Sequence, residues 1–207
     1  MKIILSFTKA LHKKFISWRR VEVLSAQLAY FIADRSAVLD IGCGDGKIAN
    51  LIKQKNPSIS IEGLEILPRP DCLIACKKFD GVSMPFQNFS IDVCVLVDVL
   101  HHVLTAKELL QEACRVSRKY ILIKDHLCEN RLDFLTLKAM DWIGNRPHGI
   151  PLVNKYLSEA QWKKYFSACG LRIVHWTSQI PIYPFPLNKI AGLNLHFIAL
   201  LEKIPLN

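Results

Sequence analysis

Apolar positions recur along this chain at two different periods, and the change of period divides it. Over residues 3 to 18, Ile4, Phe7, Leu11, Phe15 and Trp18 fall three or four apart with lysines between them, and Leu24, Leu28, Phe31 and Ile32 repeat that spacing over 21 to 33. This is the stripe of an amphipathic helix, so one or two helices are predicted ahead of the first strand. From residue 37 short apolar runs alternate with helical stretches, which predicts an open, mainly parallel α/β sheet. Residues 37 to 41 read as the first strand and 46 to 55 as a crossover helix that stops before Pro57. Residues 59 to 66 alternate as a second strand, halted by Pro68 and Pro70, and a third ends at Phe79-Asp80. Residues 91 to 97, Ile-Asp-Val-Cys-Val-Leu-Val, form the nearly unbroken apolar run expected of a strand covered on both faces.

The second half continues the alternation around an interruption. Thr105 with Glu108 predicts a capping box opening a helix to about Val116, and 119 to 124 is the fifth strand. Residues 125 to 157 read as an insertion, helical from about Arg131 to Ile143 and turn-rich through Gly144 to Pro151. Ser158 with Gln161 predicts a second capping box, for a helix to Cys169 with Gly170 just beyond its end. Strands at 171 to 176 and 195 to 202 complete the sheet, and the proline-rich stretch 180 to 186 between them is a stiff aromatic loop. The expected organisation is an N-terminal helical arm, 1 to 35, followed by one α/β domain, 36 to 207.

Charge and cysteine content narrow the setting. Of the net charge of +9, the first 35 residues hold seven Lys and Arg against Glu22 and Asp34. Such an arm suits nucleic acid, an anionic lipid surface or an acidic substrate, or is a solvated face that covers the core. No apolar run reaches bilayer length, and Lys9, Lys13 and Lys14 interrupt the first one. A cytoplasmic protein is expected, with peripheral membrane contact open to the arm. Seven cysteines, an odd number without a C-x-x-C pair, argue for a reducing compartment and no metal site. Cys72 and Cys76 lie one helical turn apart but no second pair accompanies them.

The chemistry begins at Val38-Leu39-Asp40-Ile41-Gly42-Cys43-Gly44-Asp45-Gly46, an apolar strand entering a loop with glycine at alternate positions. Glycine lets a ligand lie against the main chain, and the N–H groups at the start of the next helix face it. A dinucleotide fingerprint would need glycine or alanine at 47, where Lys47 stands. Asp40, Glu65 and Asp80 fall at the carboxyl ends of three successive strands, side by side along one sheet edge. Asp40 there could accept from an ammonium group, Glu65 from both ribose hydroxyls and Asp80 from an adenine amine.

The combination of D-I-G-C-G-D-G, Glu65, Asp80 before Met84-Pro85-Phe86, Phe89-Ser90-Ile91-Asp92 and Val99-Leu100-His101-His102 resembles the type 11 branch of the class I S-adenosylmethionine-dependent methyltransferases, over about residues 35 to 124. The resemblance implies a Rossmann-like seven-stranded sheet of order 3-2-1-4-5-7-6 with strand 7 antiparallel and helices on both faces. It implies S-adenosylmethionine as methyl donor, S-adenosylhomocysteine as product, and an acceptor over strands 4 and 5. The cofactor contacts it implies are Asp40, Gly42, Cys43, Gly44, Gly46, Glu65, Asp80, Gly81 and Asp98; glycine at 81, where relatives often carry alanine, is a departure.

Methyl transfer from a sulfonium needs mainly positioning, and a base where the acceptor must lose a proton. The candidates are His101 and His102 after strand 4, Asp125 and His126 at the end of strand 5, and His148 in the insertion; His101, His126 and Asp125 are the catalytic candidates carried forward. Neighbours on a strand point to opposite faces, so Asp125 and His126 are not expected to act as a dyad. Asp98-Val99-Leu100-His101 replaces the N-P-P-Y and Pro-Cys motifs of enzymes that methylate DNA bases. The expected activity is metal-independent methylation of a small-molecule or lipid-like acceptor. The alternatives are methylation of RNA or protein through the basic arm, and a non-catalytic scaffold that binds S-adenosylmethionine.

Overall fold

The computed structural model describes residues 17–145, 155–183 and 194–204. The first half of the amphipathic stretch, residues 3 to 16, and the turn carrying His148 lie outside them. Helix α1 covers residues 17–29 without a break at 19 to 20, so the described part of the arm is one helix; it ends in tight turns in which Phe31 and Ile32 donate to the carbonyls of Leu28 and Ala29. Then follow β1 (Ala37–Ile41), α2 (Lys47–Lys55), β2 (Ser60–Glu65), β3 (Cys76–Lys78) and β4 (Ile91–Val97). A 3-10 turn (Leu100–His102), α3 (Ala106–Val116), β5 (Ser117–His126), α4 (Arg131–Asn145), α5 (Glu159–Ala168), β6 (Leu171–Thr177) and β7 (His196–Lys203) complete the order.

The seven strands form one sheet in the order β3-β2-β1-β4-β5-β7-β6. Strands β1 to β5 pair in parallel, while β7 runs antiparallel to both β5 and β6. Period-2 alternation sorts each central strand between two cores. Cys94 and Leu96 of β4, Ile121 and Ile123 of β5, and Phe197, Ala199 and Leu201 of β7 pack under α3 and α5. Val93 and Val95, Leu122, and Ile198 and Leu200 face the other way, against Leu24 and Leu28 of α1 and Ile52 of α2. Leu24 and Leu28 are fully buried. The described part of the arm therefore packs on the sheet, and its apolar stripe is core.

Local signals held unevenly at the helix starts. Ser158 and Gln161 form the predicted box, each side chain accepting from the other's backbone N–H. Thr105 does not: its side chain makes no cap bond, and α3 starts without one. Glu108 is still usefully placed, since an acid in the first turn favours the positive end of the helix dipole. A cap that the sequence reading passed over opens α4. Asn130 Oδ1 accepts from the N–H groups of Leu132 and Asp133, and Asp133 Oδ2 accepts from those of Glu129 and Asn130. The Asn-x-x-Asp spacing was the available sign. Strand β5 also runs two residues past the predicted end at 124, which carries Asp125 and His126 on the ladder opposite Phe197 and His196 of β7. No helix among the described residues is long and apolar enough to cross a membrane.

Candidate active site

Two clusters lie along the carboxyl edge of the parallel strands. The first is built on the backbone. Gly42, Gly44 and Gly46 all have positive φ, at +74°, +58° and +70°, so the loop after β1 turns through three left-handed residues. Gly42 and Cys43 both donate to the carbonyl of Leu64, tying this loop to β2. A Cβ on Gly42 would stand 2.6 Å from Val99 Cγ2, whereas one on Gly44 would meet nothing within 4 Å. The loop is thus closed on its β4 side and open above Gly44.

Two carboxylates frame that opening. Glu65, the last residue of β2, accepts the Gly44 N–H at 3.0 Å through Oε2 and that of Ile66 at 2.9 Å through Oε1. Asp40 is 5% exposed, and its carboxyl is pushed up to about 7 by burial first and then by the charge of Glu65. Both influences disfavour a second negative charge, so the pocket has the electrostatics of a site for a cationic ligand. Cys43 Sγ points toward Cys76, 3.5 Å from its Sγ. Asp80 and Gly81 follow β3 as an exposed turn, in which Asp80 Oδ1 accepts from Val82 and Ser83 at 2.8 and 2.7 Å and Gly81 has φ +84°. Those backbone bonds hold the Asp80 carboxyl below its usual range. Asp40, Cys43, Gly44 and Glu65 are therefore brought together, with Asp80 and Gly81 at the adjoining strand end.

Asp98, which the sequence reading groups with the cofactor contacts, follows β4 and precedes Val99, the residue that closes the loop at Gly42. Its carboxylate is bound by Lys124 of β5 through Oδ1 and by Arg20 of α1 through Oδ2. Those two cations hold its carboxyl well below the ordinary value against the opposing effect of burial. Asp98 itself has φ +56° and donates its N–H to the Lys124 carbonyl. It belongs to the second cluster, which is made of side chains.

There the alternation of β5 separates three consecutive polar residues. Lys124, fully buried on the α1 side, reaches Asp98 and lies 3.1 Å from His196 Nδ1; His196 Nε2 in turn is 3.3 Å from the Tyr183 hydroxyl. Asp125, on the α3 side, accepts from three donors: His101 Nδ1 at 2.6 Å, and the N–H groups of Leu100 at 3.1 Å and His126 at 2.7 Å. It locks the 3-10 turn after β4 onto the end of β5. His126 joins the halves, its Nδ1 lying 3.3 Å from His101 Nδ1 and 3.6 Å from both Asp98 and Asp125. The three catalytic candidates are thus assembled, and the pairing is Asp125 with His101 across strands, not Asp125 with the neighbouring ring.

The protonation pattern follows. Burial works against a charge on His101, but Asp125 outweighs it and moves the imidazole upward. His102 goes the other way, down to about 4, through burial and the neighbouring His101. His126 is lowered by burial first, with Asp98 opposing and Lys124 assisting. In the neutral ring with Nδ1 donating to Asp125 the lone pair is at Nε2, which is buried and has no hydrogen-bond partner among the described residues; Asp141 Oδ2 stands 3.5 Å from it, near enough to pair with the imidazolium. Asp141 itself accepts from the Tyr156 hydroxyl.

The sequence reading missed Lys124, His196, Arg20 and Tyr156; it placed Asp141 only in a candidate substrate lid, 141 to 149, and Tyr183 only in the aromatic loop on the acceptor side. A lysine inside the apolar run of β5 was a visible sign, because a cation there needs an anion; nothing in the sequence says that Asp98 supplies it. The same lysine bears on metals. Asp98, His101, Asp125 and His126 lie close enough to share an ion, but the Lys124 ammonium already neutralises Asp98 from within.

Comparison with known proteins agrees with this fold. A family model described as a methyltransferase domain matches residues 15–176. No curated protein matches the chain. Among solved structures, a chain of the complex between the Haloferax volcanii Trm112 methyltransferase activator and its candidate methyltransferase is 14% identical, with 91% of this chain and 90% of that one covered and a TM-score of 0.68. A SAM-dependent methyltransferase of Thermotoga maritima is 16% identical over 98% of this chain and 100% of its own, at a TM-score of 0.62. One from Methanosarcina mazei is 16% identical over 84% and 95%, at 0.61. At such identities the structural matches establish the fold. With the family model spanning most of the chain, the protein belongs to the methyltransferase-domain family, whose members take their methyl group from S-adenosylmethionine.

Proposed function

We propose that this protein methylates a hydroxyl-bearing small-molecule or lipid-like acceptor, with His101 as the base. The observation that carries the reading is the buried Asp125–His101 pair whose Nε2 has no hydrogen-bond partner among the described residues. S-adenosylmethionine supplies an activated methyl group on a sulfonium. Asp40 fits its cationic end, since a cation there relieves two crowded carboxylates. The open space above Gly44 admits it, Glu65 fits the ribose hydroxyls, and Asp80 with Gly81 fits the adenine edge.

The acceptor hydroxyl loses its proton to His101 Nε2 as its oxygen forms the new bond to carbon and the sulfur–carbon bond breaks. Asp125 holds the imidazole in the tautomer that can accept that proton and stabilises the imidazolium formed. Burial excludes competing water. Arg19 and Arg20 of α1 are turned inward, to the Pro181 carbonyl and to Asp98, which favours a small acceptor over RNA held on a basic face.

Incubating cell extract with the protein and isotopically labelled methyl donor tests the acceptor class. Label is expected in the small-molecule or lipid fraction; label in RNA or protein overturns that assignment, and S-adenosylhomocysteine binding with no transfer to any fraction supports a scaffold instead. His101→Gln is expected to lower turnover by about 100-fold or more while leaving S-adenosylhomocysteine affinity unchanged. Unaltered turnover in that variant removes His101 as base.

A further inference from the structure

The cofactor loop also carries a feature that methyl transfer does not use. Cys43 in the loop, Cys72 in the β2–β3 connection and Cys76 at the start of β3 place their three Sγ atoms within 4.8 Å of one another, with Cys43 and Cys76 at 3.5 Å. All three are half-buried, so an ion can reach them. We propose that Cys43, Cys72 and Cys76 form a three-thiolate site for a thiophilic metal ion of the zinc class.

Spacing is the first argument. Zinc–sulfur bonds of about 2.3 Å in a tetrahedron set sulfur atoms about 3.8 Å apart. The Cys43–Cys76 separation of 3.5 Å is close to that value, and the Cys72 sulfur lies within 4.8 Å of both. A disulfide would use two sulfurs at about 2.05 Å and leave the third idle. The second argument is that the backbone makes room for these thiols. A Cβ on Gly63 of β2 would lie 2.5 Å from Cys43 Sγ, and one on Gly46 would lie 3.0 Å from Cys72 Sγ. Two glycines at different places in the sequence thus clear space for two of the three sulfurs.

Charge completes the picture. The Cys43 thiol is pushed up by burial, then by Asp40, then by its two cysteine neighbours, and Cys76 is raised mainly by burial. Thiols in that setting stay protonated, which makes them slow toward oxidants. A cation reverses the balance: S–H bonds break, sulfur–metal bonds form, and the protons leave to solvent. Affinity therefore rises with pH. The bond from Cys43 would tie the loop of the cofactor site to β3, at a position separate from the Asp98–Lys124 cluster.

Cobalt(II) added to reduced, chelator-treated full-length protein is the probe. One equivalent is expected to give a thiolate-to-cobalt charge-transfer band and tetrahedral visible bands, both displaced by zinc(II) and both stronger at pH 8 than at pH 6. Cys43→Ser and Cys72→Ala are each expected to abolish the charge-transfer band, with folding checked by thermal melting; Cys128→Ser is expected to keep it. Absence of the band in the unmodified protein, or its survival in both variants, overturns the proposal. Label transfer to an acceptor is a separate readout, so failure of the methyltransfer reading leaves this result interpretable.

Discussion

The two halves of the sheet edge hold their polar groups by opposite means. At the end of β1 the site is a continuous stretch of backbone, residues 40 to 46, shaped by three left-handed glycines and one neighbouring carboxylate from β2. At the ends of β4, β5 and β7 it is a set of side chains drawn from α1, the residue after β4, a 3-10 turn, two strands and α4, held by one another. The first half is rigid through local conformation and tolerates little change of residue. The second depends on charge balance, so losing one member exposes the rest.

The largest effect should come from closing the first half. Gly42→Val brings strain at φ +74° and a clash with Val99, and is expected to cost about 2–4 kcal/mol in thermal stability and to abolish S-adenosylhomocysteine binding by calorimetry. Gly44→Ala separates the two consequences. With nothing near its Cβ it should cost about 1 kcal/mol, yet still block the ligand. Binding at wild-type affinity in Gly44→Ala would show that the loop is not the cofactor site.

Breaking the second half comes next. Asp125→Ala leaves His101 Nδ1 and two buried N–H groups without their acceptor, and urea unfolding should show a loss of about 3 kcal/mol with turnover falling to background. Asp125→Asn keeps much of the stability but should change the pH profile of turnover, which a purely structural role for Asp125 would leave unmoved.

The first half has its own pH dependence, through Asp40. The Asp40 carboxyl lies near 3.8 in the unfolded chain and at about 7 in the folded protein. Because the folded value is raised, its contribution to stability is fully present below 3.8 and is lost as pH rises through 7. A ligand ammonium prefers the ionised form, so S-adenosylhomocysteine affinity should climb between pH 5 and pH 7 and level off above. Asp40→Asn should flatten that climb; a slope that persists in the variant assigns it to another group.

The smallest expected effect contrasts two helix starts outside both clusters. Ser158→Ala should cost about 1 kcal/mol of stability, since it removes a formed capping box, while Thr105→Ala should be nearly neutral because no cap bond is present to lose. Equal losses in the two would contradict the geometry of α3.

Much of the first half was legible because its information is local. The triple-glycine run, the strand before it and Glu65 at the end of the next strand are readable from spacing, and strand order followed from resemblance to a family. Lys124 and His196 were not legible as partners, since they are 72 residues apart and meet only because β7 pairs antiparallel with β5. The end of β5 was placed two residues early for a related reason: polar residues at 124 to 126 end an apolar pattern even when a ladder continues through them. Thr105 illustrates the converse, a local motif whose backbone, at φ −94° and ψ 39°, does not take the extended conformation a capping residue favours.

Sequence alone determined the element order, the triple-glycine loop and the two apolar faces, because each depends on backbone propensity and on periods of 2.0 and 3.6 residues. Tertiary structure decided which charges meet. It gave Asp125 to His101 and Asp98 to Lys124, and it brought Cys43 to Cys72 and Cys76. Such pairings are set by strand register and by burial, which raises the cost of leaving a charge or a polar hydrogen unmatched, and neither register nor burial is written in any short stretch of the chain.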